Sequence, residues 1–158
     1  MIKGTINLPG DKSISHRVLI LASISKGKST IYNLAQSEDV KRTINILKKC
    51  GTQIIKNANG SITVKGNKSF KSETKRFYCG NSGSTARFML GFLPARGISG
   101  ILYGDKSLSK RPMDRVIEPL KKIGVHINSK SKTLPISFQA SSINGYNHIL
   151  EVPSAQVK

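Results

Sequence analysis

The feature that most constrains the fold of this chain is an internal repeat. Residues 10–27, GDKSISHRVLILASISKG, align with residues 80–97, GNSGSTARFMLGFLPARG, at an offset of 70 residues. Three positions are identical: Gly10 matches Gly80, Arg17 matches Arg87, and Gly27 matches Gly97. Further along, residues 47–54, LKKCGTQI, align with residues 120–127, LKKIGVHI, with an offset of 73 residues. A repeat on this scale means that the fold is assembled from copies of one supersecondary unit.

Each copy predicts the element order β-α-β-α-β-β, so the fold class is α/β (α+β). In the first helix, Val18, Leu21 and Ala22 recur at helical spacing, and Gly27 follows as a C-terminal stop. The second helix ends at a glycine in both copies, and Pro112 occupies the expected N1 position in the second copy. Two strand pairs complete the copies: 52–56 with 61–65, joined through Asn59-Gly60, and 125–129 with 134–138.

The repeat divides the chain into segments. We expect residues 10–79 to form the first unit, residues 80–147 the second, and residues 148–158 the start of a third. In that third copy, 153-PSAQVK-158 takes the place of 9-PGDKSI-14. A helix start without a helix body buries no apolar face. We therefore expect this chain to be the N-terminal piece of a longer protein.

Length and composition are typical of a globular domain. The chain has 158 residues, 37% hydrophobic and 22% charged, with no apolar run near 18 residues and no signal-peptide pattern at Met1. We expect a soluble, cytoplasmic protein without a membrane partner. Cys50 and Cys79 have neither CxxC spacing nor a neighbouring histidine cluster, so the sequence indicates buried thiols and no metal site.

The net charge is unusual, since 26 lysines and arginines against 8 acidic residues give a formal charge of +18. Such a chain attracts anions, and a nucleic-acid-binding module would explain the charge without any enzyme. The lysines are scattered, however, and no aromatic motif for stacking bases is present. A basic surface around a site for small anions is the better interpretation. A salt series of RNA binding would distinguish the two, because a nucleic-acid binder loses affinity steeply with salt.

Residues 10–17 combine hydrogen-bonding side chains with a helix start. A loop that runs into a helix N-terminus presents unpaired N–H groups and the positive end of the helix dipole, which favour phosphate or carboxylate. Lys12 adds a charge, and Ser13 and Arg17 lie four residues apart on one face, where a guanidinium suits a carboxylate. Asp11 is expected to cap the helix, and His16 to lie on the helix surface.

Two further loops have a similar character. In 80-GNSGSTAR-87, Gly83 would let a ligand approach the main chain. The neutral polar partners there are Asn81, Ser82 and Ser84. The alternative is an ordinary glycine turn with an N-cap serine. In 104-GDKSLSKRPMDR-115, the cations form either a solvated charge run or an anion clamp. They are Lys106, Lys110, Arg111 and Arg115.

Four motifs together resemble one enzyme family. PGDKSISHR at 9–17, GNSGSTARF at 80–88, KRPMDR at 110–115 and PSAQVK at 153–158 are similar, in order and spacing, to motifs of the 5-enolpyruvylshikimate-3-phosphate (EPSP) synthases, also called 3-phosphoshikimate 1-carboxyvinyltransferases. The resemblance implies two domains, each an enolpyruvyl transferase inside-out α/β barrel of three β-α-β-α-β-β units, with the active site between them. It covers two complete units and the start of a third, and it assigns the strand expected at residues 1–9 to the other domain.

The resemblance implies transfer of the enolpyruvyl group of phosphoenolpyruvate to the 5-hydroxyl of shikimate 3-phosphate, with release of phosphate, in the shikimate pathway to chorismate and aromatic amino acids. No metal or organic cofactor is implied. Glyphosate is an expected inhibitor, and the full-length protein is expected to be a monomer. Lys12 matches the residue that touches both substrates. The other shikimate 3-phosphate ligands match Ser13, Arg17, Ser154, Ala155 and Gln156, and the other phosphoenolpyruvate ligands match Gly83, Arg111 and Gln156.

The chain departs from the family pattern at Ala155, where some members have a second serine and where only the backbone N–H is left. The acid and base carboxylates of the reaction match none of its acidic residues, so we expect half of an active site that is inactive alone. The sister family acting on UDP-N-acetylglucosamine is the remaining enzymatic alternative. That family has asparagine where this chain has Ser13, and a catalytic cysteine loop that neither Cys50 nor Cys79 matches.

Overall fold

The computed structural model describes residues 3–6, 8–67, 69–72, 75–147 and 149. The helices are α1 (Lys12–Ile24), α2 (Glu38–Lys49), α3 (Gly83–Ala95) and α4 (Asp114–Lys122), with a 3₁₀ turn at Leu108–Lys110. The strands are β1 (Lys28–Ile31), β2 (Gln53–Lys56), β3 (Ile62–Lys65), β4 (Arg76–Tyr78), β5 (Gly100–Tyr103), β6 (Ile127–Asn128) and β7 (Ile136–Phe138). This alternation confirms the predicted α/β class. None of the helices in these ranges is long and apolar enough to cross a membrane.

The described strands form two sheets with the same internal order. One sheet has the antiparallel order β1-β3-β2, and β5-β7-β6 repeats it in the other. Both predicted strand pairs are therefore present. β4 adds a parallel neighbour to β5, as expected for two strands connected by a crossover helix. The strand predicted at residues 1–9 is not seen in residues 3–6, 8 and 9, so that strand, its assignment to another domain and the unit boundaries stay predictions.

The apolar core lies between the helices and the two sheets. Leu19 of α1, Leu47 of α2 and Leu90 of α3 are fully buried. Phe77 of β4 stacks on Phe138 of β7, with the ring centroids 6.2 Å apart. Burying a side chain of this size contributes about 1.5–3 kcal/mol. The core thereby fixes the mutual orientation of the helices, and with it the positions of their N-terminal ends.

The helices α2 and α4 end at the two glycines of the repeat, as predicted. Gly51 has φ 87° and Gly124 has φ 98°, a left-handed conformation that glycine adopts without strain. The residue after each glycine donates its N–H to a carbonyl five residues earlier, from Thr52 to Leu47 and from Val125 to Leu120. These bonds satisfy the last carbonyls of each helix.

The prediction of Pro112 at the N1 position is wrong, because α4 begins at Asp114 after an N-cap at Met113. Arg111 has extended backbone with ψ 134°, the conformation that a following proline favours. The 3₁₀ turn and this extended residue separate the loop from the helix.

Cys50 and Cys79 are buried free thiols, as predicted. Burial raises the pKa of each thiol to about 12. Both sulfurs therefore stay protonated near neutral pH, and a protonated thiol is a poor nucleophile.

Candidate active site

The N-terminal ends of all four described α-helices gather in one region. Lys12 Nζ of α1 lies 3.0 Å from Asp39 Oδ2 of α2. Thr85 Oγ1 of α3 donates to the carbonyl of the same Asp39 at 3.1 Å. Arg87 Nη2 of α3 donates to the carbonyl of Pro112, two residues before α4, at 3.2 Å. The positive ends of four helix dipoles therefore lie together, which favours anions.

Short polar side chains cap three of these helices. Asp11 Oδ1 accepts the N–H of Ile14 at 2.7 Å in α1, which confirms the predicted cap. Ser37 caps α2. Ser82 Oγ accepts the N–H of Thr85 at 3.1 Å in α3, and Ser82 is fully buried. Ser82 is therefore the N-cap serine foreseen as the alternative, and its side chain is not exposed to a ligand.

The predicted cluster at the start of α1 is exposed and is linked to the other helices. Lys12, Ser13 and Arg17 all lie at the surface. The guanidinium carbon of Arg17 lies 5.8 Å from the ring centroid of Phe88 in α3, which makes a cation–π contact. The Lys12 side chain is 51% exposed, so its ion pair with Asp39 is worth about 0–1 kcal/mol. An incoming anion could therefore replace that partner at low cost.

The polar loops at residues 80–87 and 104–115, which follow the loop at 10–17 and are the second and third polar loops of the chain, meet at Gly83, the first residue of α3. Arg111 Nη2 donates to Asn81 Oδ1 and, at 3.3 Å, to Ser107 Oγ. Arg111 Nη1 lies 3.5 Å, and Arg87 Nη1 2.6 Å, from the point where a Cβ on Gly83 would stand. The cations of the third loop thus differ in role, because Arg111 is half-buried against Gly83 whereas Lys106 and Lys110 are exposed.

The glycine turn expected as the alternative for this loop lies at Gly80 and not at Gly83. The φ of Gly83 lies outside the left-handed region, whereas Gly80 in the same loop has φ 60°. At position 83 a side chain would displace the end of the Arg87 side chain, which lies within 2.6 Å of the Cβ point. Gly80, three residues earlier, makes the turn.

Arg87 is a candidate residue that sequence analysis missed. Burial lowers the pKa of its guanidinium, and the neighbouring charges of Arg111 and Arg115 lower it further, while Asp114 opposes them. Like charges held this close repel one another, so a bound anion would be favourable here. The signal in the sequence that would have indicated this residue was its match to Arg17 in the repeat.

The prediction that His16 lies on the helix surface is wrong, because its side chain is fully buried. Its Nδ1 lies 2.8 Å from Thr43 Oγ1 of α2, and its ring packs edge-on against Phe88 at 6.0 Å between centroids. Burial lowers the pKa of His16, with Asp39 opposing and Lys12 and Arg17 reinforcing the shift. The signal in the sequence was its spacing of three residues from Leu19, which places both on the buried face of α1.

The predicted ligands Ser154, Ala155 and Gln156 lie outside the described residues. Of the predicted site residues within the described ranges, Gly83 and Arg111 lie together at the start of α3. Lys12, Ser13 and Arg17 lie at the start of α1, and their role as ligands stays a prediction.

Comparison with known proteins identifies the family. The sequence model of the EPSP synthase (3-phosphoshikimate 1-carboxyvinyltransferase) family matches residues 1–158. The chain belongs to the EPSP synthase family. The resemblance predicted from the four motifs is thereby confirmed.

Relatives and solved structures of EPSP synthases agree with this assignment. The 3-phosphoshikimate 1-carboxyvinyltransferase of Oceanobacillus iheyensis is 44% identical over 161 residues, and that of Staphylococcus epidermidis 43% identical over 159 residues. A solved EPSP synthase from Acinetobacter baumannii has a TM-score of 0.91 at 34% identity and covers 98% of this chain. The chain spans 37% of the length of both curated relatives and 36% of the solved chain.

Proposed function

We propose that the protein carrying this chain transfers the enolpyruvyl group of phosphoenolpyruvate to the 5-hydroxyl of shikimate 3-phosphate and releases phosphate. One observation carries the proposal: in a member of the EPSP synthase family, four helix N-termini gather beside Gly83, with Arg87 and Arg111 converging on it. Both substrates bear a phosphate and a carboxylate, so both are attracted to such a region.

The site for shikimate 3-phosphate is proposed at the start of α1. Ser13 offers a hydroxyl, and Arg17 offers a planar guanidinium that matches a carboxylate with two parallel hydrogen bonds. Lys12 touches both substrates, exchanging its exposed partner Asp39 for their negative charges. The remaining proposed ligands are Ser154, Ala155 and Gln156.

The site for phosphoenolpyruvate is proposed at the start of α3, with Gly83, Arg111, Lys12 and Gln156 as ligands. Because Gly83 has no side chain, the ligand can approach the first N–H groups of α3. Arg111 supplies positive charge from the facing loop, and Asn81 orients its guanidinium. Glyphosate is expected to compete for the same place.

In the proposed reaction the methylene carbon of phosphoenolpyruvate gains a proton and the 5-hydroxyl oxygen bonds to C2 as it loses its own. The resulting tetrahedral intermediate loses a methyl proton and expels phosphate, which restores the double bond. The residues of this chain hold the two substrates together and offset the negative charge of the departing phosphate. No carboxylate of this chain is proposed as the acid or base, so it supplies half of the site and is expected to be inactive alone.

The two thiols favour this acceptor over UDP-N-acetylglucosamine. The sister reaction uses a cysteine in a loop, whereas Cys50 and Cys79 are buried with pKa values raised to about 12. Neither thiol has the exposure or the low pKa of a reactive cysteine.

The test is an assay of the intact natural gene product with phosphoenolpyruvate and either acceptor, measuring released phosphate and the mass of the product. Phosphate release that requires shikimate 3-phosphate supports the proposal. Release with UDP-N-acetylglucosamine alone assigns the sister activity, and no release with either acceptor rejects both. Lys12→Met should abolish turnover, whereas Lys26→Met, beyond the other end of α1, should not. Light scattering tests the expected monomer.

A further inference from the structure

We infer that a chain of buried hydrogen bonds fixes the distance between the two proposed substrate sites, an inference that rests on the proposed function. This buried network runs from His16 in α1 through Thr43 in α2 to Thr85 and Ser82 at the start of α3, and all four side chains have 0% exposure. His16 Nδ1 lies 2.8 Å from Thr43 Oγ1, Thr43 Oγ1 lies 2.9 Å from Thr85 Oγ1, and Ser82 Oγ lies 2.8 Å from Thr85 Oγ1.

The direction of each hydrogen bond follows from counting hydrogens. The carbonyl of Asp39 can only accept, so the single hydroxyl hydrogen of Thr85 goes to it, at 3.1 Å. Thr85 then accepts in its bond with Thr43, which uses the hydroxyl hydrogen of Thr43. His16 Nδ1 must therefore donate to Thr43, and this assigns the tautomer of the imidazole with its hydrogen on Nδ1.

The other ring nitrogen agrees with this assignment independently. His16 Nε2 is buried and has no hydrogen-bond partner in the part of the chain that the structure describes. A hydrogen on Nε2 would leave a buried donor unsatisfied, which costs more than a bare lone pair that needs no donor geometry. The neutral ring with Nδ1–H is therefore the form that this site accommodates.

Both ends of the buried network adjoin proposed substrate ligands. His16 precedes Arg17 on α1, and Ser82 caps α3 immediately before Gly83. Asp39, which accepts from Thr85, holds Lys12. The network thus joins the shikimate 3-phosphate side to the phosphoenolpyruvate side, and its members are positioning residues.

Positioning of this kind affects the rate more than it affects binding. Apart from Lys12, which is proposed to touch both substrates, each substrate is held mainly at the start of one helix, α1 or α3. Bond formation needs these two helices at the right separation. A misplacement of about 1 Å between reacting groups can cost roughly 100-fold in rate. Thr43→Val keeps the shape of the side chain but leaves His16 Nδ1–H without its acceptor and removes one of the two donors to Thr85 Oγ1, since Ser82 still donates to it. The bonds that connect α1 to α3 through Thr43 are then lost.

The kinetic test compares three variants of the intact gene product. Thr43→Val should lower kcat roughly 10- to 100-fold, with each KM changed by less than about threefold. Thr43→Ser keeps the hydroxyl and should recover most of the rate. Thr52→Val is the matched control, because the Thr52 hydroxyl is also buried but has no partner within the described ranges. A Thr43→Val enzyme with the parental kcat and only a lower melting temperature would overturn the positioning role.

The hydrogen-bond direction can be tested without any variant of Thr43, by ¹⁵N NMR of the intact gene product with ¹⁵N-labelled histidine rings. The His16 signal, identified by its loss in His16→Gln, should show hydrogen on Nδ1 and a bare Nε2, and the reverse pattern would overturn the network as assigned. If the intact protein does not turn over at all, the proposed function and the positioning role both fail. In that case the NMR experiment still tests the direction of the hydrogen bonds in the buried network, and nothing more.

Discussion

The guanidinium of Arg87 lies against Gly83, with its Nη1 2.6 Å from the point at which a Cβ on Gly83 would stand. The backbone of Gly83 is not left-handed, so an alanine there meets a neighbouring side chain and no conformational strain. A substitution at position 83 is therefore expected to change the site more than the stability of the fold.

Gly83→Ala should weaken glyphosate inhibition more than it raises the KM for phosphoenolpyruvate. The added methyl pushes Arg87 aside and intrudes on the ligand, and glyphosate is the longer of the two ligands. We expect the inhibition constant to rise about tenfold or more and the KM by less, a discrimination built on steric exclusion. Steady-state inhibition kinetics of the intact gene product measure both.

Gly91→Ala is the matched control in the same helix. A Cβ there meets only Leu120 Cδ2, at an ordinary 3.7 Å. Gly91→Ala should leave the glyphosate inhibition constant and the KM for phosphoenolpyruvate unchanged. It should stabilise α3 by about 0.5–1 kcal/mol, because alanine is a better helix former than glycine. Equal losses for both ligands in Gly83→Ala, together with a lower melting temperature, would remove Gly83 from the site.

Arg17→Ala should weaken the binding of shikimate 3-phosphate by about 1.5–3 kcal/mol, the range for hydrogen bonds to a charged group. Arg96→Ala is the control, since Arg96 lies over Phe92 at the same 5.8 Å that separates Arg17 from Phe88, but at the opposite end of α3. Calorimetry should show no loss for Arg96→Ala. Similar affinities for the two variants would mean that Arg17 does not hold the substrate.

The free energy of unfolding should fall as pH drops below 6.5, because the pKa of buried His16 is lowered from that value. Below pH 6.5 the unfolded chain takes up a proton that the folded His16 refuses until its own lower pKa is reached. The slope from this one group is at most about 1.4 kcal/mol per pH unit. Denaturant unfolding between pH 7.5 and 5.5 measures it.

His16→Gln should flatten that pH dependence, whereas His126→Gln, at an exposed position, should not. If the slope persists in His16→Gln, another group is responsible and His16 is not the buried neutral base inferred here.

Neither cysteine should react with Ellman's reagent at pH 8 in the folded protein. With pKa values raised to about 12, only roughly one thiol in ten thousand is ionised at that pH, and both sulfurs are buried. Unfolding in guanidinium should release both for reaction. Rapid modification of either thiol before unfolding would show that it is accessible.

The amino-acid sequence alone determined the features that depend on near neighbours. Asp11 caps α1 through a residue three positions away, and Gly51 and Gly124 end their helices through bonds within the last turn. The four motifs and the repeat likewise indicated the family and the α/β class. Local stereochemistry suffices for the helix cap and the helix ends, because there the interacting groups are only a few residues apart in the chain.

The tertiary structure alone decided which side chains of the site meet. His16 was misplaced on the surface because its partner Thr43 is 27 residues away, and Lys12 and Asp39 are separated by the same distance along the chain. Thr43 and Thr85, 42 residues apart, meet only when α2 packs on α3. A helix face does not show in its own sequence whether water or another helix will cover it, so the buried network and the approach of Arg87 to Gly83 emerged only with the packed core.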